Sequence, residues 1–137
     1  LSSPYFSKMP PKSLDRNDFI QLQKMVANLS LSDAAATLTA IIVASVRAAF
    51  ELLPSLPSEV WITGGGRKNQ VLMRQLKENI PTKVLDIDII GFDGDMLEAQ
   101  AFAFLAARSM RNLPISYPKT TGVQVPMHGG TVSFPQN

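Results

Sequence analysis

The sequence predicts an α/β protein in which short parallel strands pack with helices, and three observations carry that prediction. Val60-Trp61-Ile62-Thr63 is a β-favouring apolar run that stops at Gly64-Gly65-Gly66. Leu72, Met73, Leu76 and Ile80 then recur at helical spacing, which predicts a helix over 69–79. Lys83 to Asp88 returns to alternation as a second strand. Strand, glycine turn, helix and strand in that order imply a right-handed crossover between parallel neighbours.

The other elements follow from the N-terminus. Pro4, Pro10 and Pro11 cannot donate backbone hydrogen bonds, so residues 1–14 are expected to form an extended connector. Asp15 or Ser13 is placed to cap a first helix reaching about Asn28, whose apolar face is Phe19, Leu22, Met25, Val26 and Leu29. Ser32 is the expected cap of a second, longer helix with Leu38, Ile41, Ile42, Val46, Ala49, Phe50 and Leu53 along one side. Pro54 and Pro57 end it. After the two strands a loop at Gly91 to Asp95 leads into a last helix from about Met96 to Arg111. The tail beyond Leu113, with Pro114, Pro118, Pro126, Pro135 and Gly129-Gly130, is expected to be irregular. Two strands make a poor sheet, and parallel sheets are normally covered on both faces, so further strands are expected from outside this chain.

Composition narrows the function classes. The 137 residues suit one domain or a piece of one, and 45% hydrophobic against 18% charged residues excludes a disordered chain. Thirteen basic and eleven acidic residues give a net charge of +2 with no dense basic block, so nothing calls for nucleic acid or an anionic membrane. The absence of cysteine removes disulfides and thiolate metal sites and suits a cytoplasmic protein. The apolar stretch Ala34 to Leu53 is interrupted by Arg47, Ser and Thr and reads as a buried helix of a soluble protein rather than a membrane span. The opening Leu1-Ser2-Ser3-Pro4-Tyr5-Phe6 lacks a signal peptide's basic start and apolar run, and reads as an excised or processed piece.

Two segments could carry chemistry. In the first, Gly64, Gly65 and Gly66 let a ligand approach the backbone, and the helix starting near Asn69 offers free N–H groups to a phosphate or a polar ring. A tight strand-to-helix turn explains the same glycines, and the Gly-Lys-Ser or Gly-Lys-Thr ending of a Walker loop is missing. In the second, Asp93, Asp95 and Glu98 gather at a helix start. Asp95 and Glu98 have the spacing of a capping box. Glu98 also shares a helical face with Phe102 and Leu105, which would turn its carboxylate toward packed side chains or a ligand's hydroxyls. Asp86, Asp88, Asp93 and Asp95 are explained by strand-end and cap positions. Lys12 and Arg16 are a solvated basic turn before they are phosphate ligands. His128 is a loop histidine, and Trp61 and the phenylalanines are core.

The ordered set Pro10-Pro11-Lys12-Ser13, Asp15-Arg16, Phe19, Gly64-Gly65-Gly66, Asn69, Leu72-Met73, Asp95, Glu98-Ala99, Ala101-Phe102-Ala103, Leu105-Ala106, Pro114 and Thr121-Gly122 resembles the C-terminal region of anhydro-N-acetylmuramic acid kinases. Asp15 stands where that pattern has a small residue. The resemblance implies the actin, hexokinase and heat-shock-chaperone superfamily, with residues 1–137 as the C-terminal part of a ribonuclease-H-like (actin-like ATPase) second domain and the N-terminal domain outside the chain. It further implies ATP and Mg2+ and a kinase of peptidoglycan recycling that opens 1,6-anhydro-N-acetylmuramic acid. An exposed sheet edge and apolar helices separately leave room for a homodimer. Gly64, Gly65, Gly66 and Asn69 would contact the nucleotide and Glu98 the sugar, while no catalytic residue and no metal ligand falls in this chain. Two alternatives stand beside it: another sugar or acetate-kinase-like member of the superfamily, and a non-catalytic α/β interaction module.

Overall fold

The structure, a computed structural model, describes residues 3–13 and 15–134, with the side chains of Arg16 and Asp18 outside the description. The elements in chain order are α1 (Ile20–Val26), α2 (Leu31–Phe50), β1 (Glu59–Ile62), α3 (Gln70–Asn79), β2 (Lys83–Asp86), α4 (Leu97–Met110) and the single turn α5 (Pro118–Thr121). Short 3-10 turns precede α1 and α3 and follow β2. The expected mixed helix–strand class, with strands joined through a helix, is present.

β1 and β2 pair in parallel, with Val60 opposite Val84, Trp61 opposite Leu85 and Ile62 opposite Asp86. Side chains alternate across a sheet. Val60, Ile62 and Val84 accordingly join one cluster with Val43, Val46 and Phe50 of α2 and Leu72, Met73, Leu76 and Ile80 near α3. This cluster is the core, and Leu76, at 3% exposure, is its most enclosed member. Trp61 and Leu85 point to the other face and are only half-buried. Trp61, expected in the core, therefore lies outside it, on the face of the pair that α2 and α3 do not cover.

The helices differ from expectation in instructive ways. Residues 3–8 are not extended: Pro4–Ser7 form a 3-10 turn with Ser3 accepting from the Tyr5 N–H. α1 is shorter than its pattern, since Arg16–Phe19 is a 3-10 turn, at whose start Asp15 accepts the Asn17 N–H at 2.8 Å. The cap of α2 is Ser30 and not Ser32. Its hydroxyl accepts from the Asp33 N–H at 3.1 Å and donates to the Asp33 carboxylate at 2.7 Å, a reciprocal lock that Ser32 cannot make.

α2 is also not the buried helix its composition suggested. Only Val43 and Phe50 are buried, whereas Leu38 and Ile42 are exposed. By length and apolarity it is, among the described residues, the one helix that could cross a membrane. α4 buries no residue at all, and Phe102 and Phe104 stand 65% and 61% exposed. Most phenylalanines thus leave the expected core, Phe50 excepted.

Candidate functional site

The carboxyl ends of neighbouring parallel strands lie side by side, so whatever follows β1 meets whatever follows β2. After Ile62 the chain passes through Thr63 to Gly64, which adopts φ 75° and ψ 179°, a backbone region that side chains resist. Gly65–Lys68 then wind into a 3-10 turn, and Asn69 starts α3 by accepting the Val71 and Leu72 N–H groups, both at 3.1 Å. A Cβ placed on Gly64 or Gly65 would meet no atom within 4 Å, whereas one on Gly66 would lie 3.6 Å from Leu72. Gly64 and Gly65 therefore have open space where a side chain would stand, and a side chain on Gly66 would touch Leu72. The Asn69 side-chain oxygen is occupied as a helix cap.

The loop after β2 closes on this turn. The Gly94 carbonyl accepts from the Gly64 N–H at 2.9 Å and from the Thr63 hydroxyl at 3.0 Å, and the Gly94 N–H donates to Asp88 at 2.8 Å. Between turn and loop lies Arg67, whose side chain is 5% exposed. Its Nη1 donates to the Gly64 carbonyl at 3.1 Å and to Asp95 at 2.5 Å, and its Nε and Nη2 donate to Asp88 at 3.3 and 3.2 Å. Asp86 stands 3.5 Å from Nε. Lys68 adds a second cation at 2.5 Å from Asp95. A buried charge needs partners of this kind, and Arg67 is the buried charged residue among those described.

The same contacts set the ionisation of the cluster. Bonds from Arg67, then Lys68, hold Asp95 well below its ordinary 3.8. The Gly94 N–H and then Arg67 lower Asp88 from the same value, against an opposing desolvation. Arg67 is pushed upward, chiefly by Asp95, and keeps its charge throughout.

These contacts correct two sequence expectations. Asp86 is the strand-end and cap residue expected, ending β2 and accepting the Asp88 N–H at 3.0 Å, but Asp88 and Asp95 are not plain cap residues, because both bind Arg67. Asp93 does cap the turn before α4, accepting the Asp95 and Met96 N–H groups at 2.9 and 3.2 Å. The capping box of Asp95 with Glu98 is not formed: Asp95 is drawn away to Arg67, and α4 begins at Leu97 behind Met96, which supplies no side-chain cap. Glu98 is exposed, as is Phe102 on its face, while Leu105 is half-buried.

Gly64, Gly65, Gly66 and Asn69 thus share one turn, and Glu98 sits four residues beyond the Gly94 that pins it. Arg67, Asp88, Thr63 and Gly94 had gone unread as site residues. The available signal was an arginine inside the glycine turn and a run of carboxylates after the adjacent strand. Lys12 lies elsewhere, with its Nζ on the Tyr5 carbonyl at 2.9 Å and over the Tyr5 ring, and the side chain of Arg16 lies outside the described residues. His128 is exposed. Among the described residues no group of three or more His, Asp or Glu side chains could hold a metal.

A strand–turn–helix–strand unit with open glycines at the carboxyl ends of parallel strands makes this a mixed helix–strand chain of the α/β kind. The model of the anhydro-N-acetylmuramic acid kinase family matches residues 1–135, and the chain belongs to that family. It is 53% identical over 136 residues to the anhydro-N-acetylmuramic acid kinase of Ruegeria sp. (strain TM1040), covering 99% of this chain and 36% of the relative. The kinase of the same name from Roseobacter denitrificans is 51% identical over 135 residues, or 98% of this chain and 36% of the relative. That of Rhodopseudomonas palustris (strain HaA2) is 48% identical, with 98% of this chain and 36% of the relative covered. The chain therefore spans about a third of the length of the curated relatives it matches.

Proposed function

We propose that this chain supplies one wall of the active site of an ATP-dependent, cytoplasmic sugar kinase, which converts 1,6-anhydro-N-acetylmuramic acid to N-acetylmuramic acid 6-phosphate. In this reading water attacks the anomeric carbon, the bond from that carbon to O6 breaks, and O6 takes the γ-phosphoryl group as ADP leaves. The observation that carries it is the bare Gly64–Gly65 backbone of a chain belonging to a kinase family. No described residue comes within 4 Å of a Cβ placed on Gly65, and a nucleotide is the occupant this reading gives that space. Residues 1–137 are then the C-terminal part of a ribonuclease-H-like second domain, and the amino sugar and ATP are its partners.

The nucleotide fits this wall; a magnesium ion does not. Asp88 and Asp95, the carboxylates nearest the turn, already serve Arg67 and Lys68, and a divalent ion would compete with two fixed cations for them. Mg2+ is assigned to the nucleotide phosphates and to residues outside this chain. Gly64, Gly65 and Gly66 shape the nucleotide surface, and Asn69 shapes it indirectly by fixing the start of α3. Glu98 is assigned to the sugar. The general base and the phosphate-binding loop are assigned outside this chain, so the 137 residues alone turn nothing over.

The test is calorimetric titration of Mg-ADP into a full-length version of the protein, native and Gly65→Val. We expect binding by the native protein and its loss in the variant, with folding retained because the added side chain meets open space. Unaltered binding in Gly65→Val would move the nucleotide elsewhere. No binding to the native protein would favour an interaction module.

A further inference from the structure

We infer that Arg67 is the positioning residue of the nucleotide turn, fixing the Gly64 carbonyl and the Asp88–Asp95 loop in one geometry so that bare Gly64–Gly65 backbone faces the ligand. The inference rests on the proposed nucleotide site and adds a role to a residue that does not itself face the open side.

Three observations support it. The guanidinium is almost wholly enclosed, yet its bonds go to two separate segments, the turn through the Gly64 carbonyl and the loop through Asp88 and Asp95. The loop packs directly on it: a Cβ on Gly94 would lie 2.6 Å from Nε and 2.9 Å from the Asp88 carboxylate. The Gly94 backbone in turn holds Thr63 and Gly64. The path from guanidinium to loop to turn is therefore closed. Enclosing charges is a poor way to gain stability, since apolar packing of equal volume often does as well. What a planar five-donor fork provides is direction, and a lysine in its place offers one charged point.

The experiment uses the full-length protein with Arg67→Gln and Arg67→Lys, measuring KM for ATP, KM for the sugar and kcat, with Gly65→Val titrated alongside. A displaced turn should raise KM for ATP by roughly tenfold to a hundredfold, leaving KM for the sugar within about twofold. Arg67→Lys should fail to restore it. Full rescue by lysine would show that only charge is required and would overturn the inference, as would equal changes in both KM values. Should Arg67→Gln not fold, Asp95→Ala removes the acceptor of Nη1 on the loop side and should give a smaller rise in KM for ATP alone; no rise there overturns the inference equally. If Gly65→Val abolishes nucleotide binding while the Arg67 variants bind normally, the inference falls and the site stands. If Gly65→Val binds normally, the site itself falls, and the inference with it.

Discussion

The segment from β1 to Asp95 and the segment from α4 onward are built from similarly apolar sequence, yet they end in opposite states. In the first, α3 buries Leu72, Met73 and Leu76 against the strands, and the loops at the strand ends are tied through Arg67 and Gly94. In the second, α4 buries nothing, and its contacts with the tail are few: Ser109 donates to the Gly129 carbonyl, and Arg108 donates to the Pro114 carbonyl and to the Tyr117 hydroxyl. The difference teaches that apolar content alone does not make a core. α3 has one apolar face and a sheet to lay it on. In α4, Phe102 and Phe104 sit two residues apart, which on a helix places them on nearly opposite sides, so no single partner could cover both.

The comparison breaks first at Leu76. Leu76→Ala empties the centre of the cluster and should cost about 2–5 kcal/mol, the usual range for a buried leucine. Denaturant unfolding of the full-length protein gives the magnitude. Hydrogen exchange gives its place: amides of β1, α3 and β2 should lose protection together while α4 is unmoved. Loss of protection in α4 to the same degree would show that the two segments are one cooperative unit.

Acid separates them next. Asp88 and Asp95 titrate below 3.8 when folded, so the unfolded chain binds more protons than the folded one in that range. Their contribution is complete above the unfolded value and is lost as pH falls through 3.8 toward the depressed folded values. α4 contains no such pair among the described residues. Thermal melts of native and Asp95→Asn protein from about pH 5 to about pH 2 should show a shallower decline in the variant. Parallel declines would mean that Asp95 gains nothing from Arg67.

How much of this was legible follows the same division. β1, α3 and β2 were readable because period two and period 3.6 alternate sharply around Gly64 and because Asn69 caps where a helix must start. The parallel pairing follows from that order. Arg67 was not readable as a hub, since its partners lie 21 and 28 positions away and only the strand register brings them together. The sequence pattern points to Ser32 as the cap of α2 and passes over Ser30; what selects Ser30 is Asp33 three positions on, whose N–H and carboxylate both meet its hydroxyl. The surroundings of Glu98 were not readable for a different reason: assigning a packed side to α4 assumed a partner, and the described residues meet this helix near Arg108 and Ser109 rather than at Glu98.

The smallest effect sharpens the comparison most. Phe102 is 65% exposed, so Phe102→Ser should change the stability of the 137-residue chain by less than about 0.5 kcal/mol, as surface substitutions do. In the full-length protein the same change is expected to cost more, because residues outside this segment are then available to cover α4. Glu98 lies four positions before Phe102 and shares its face. A loss confined to the full-length protein would therefore place Glu98 at the edge of a covered crevice, where a carboxylate can meet sugar hydroxyls out of bulk water. Equal, near-zero effects in both forms would leave Glu98 on open surface and remove it from the sugar site, while the glycine turn and Arg67 would stand unchanged.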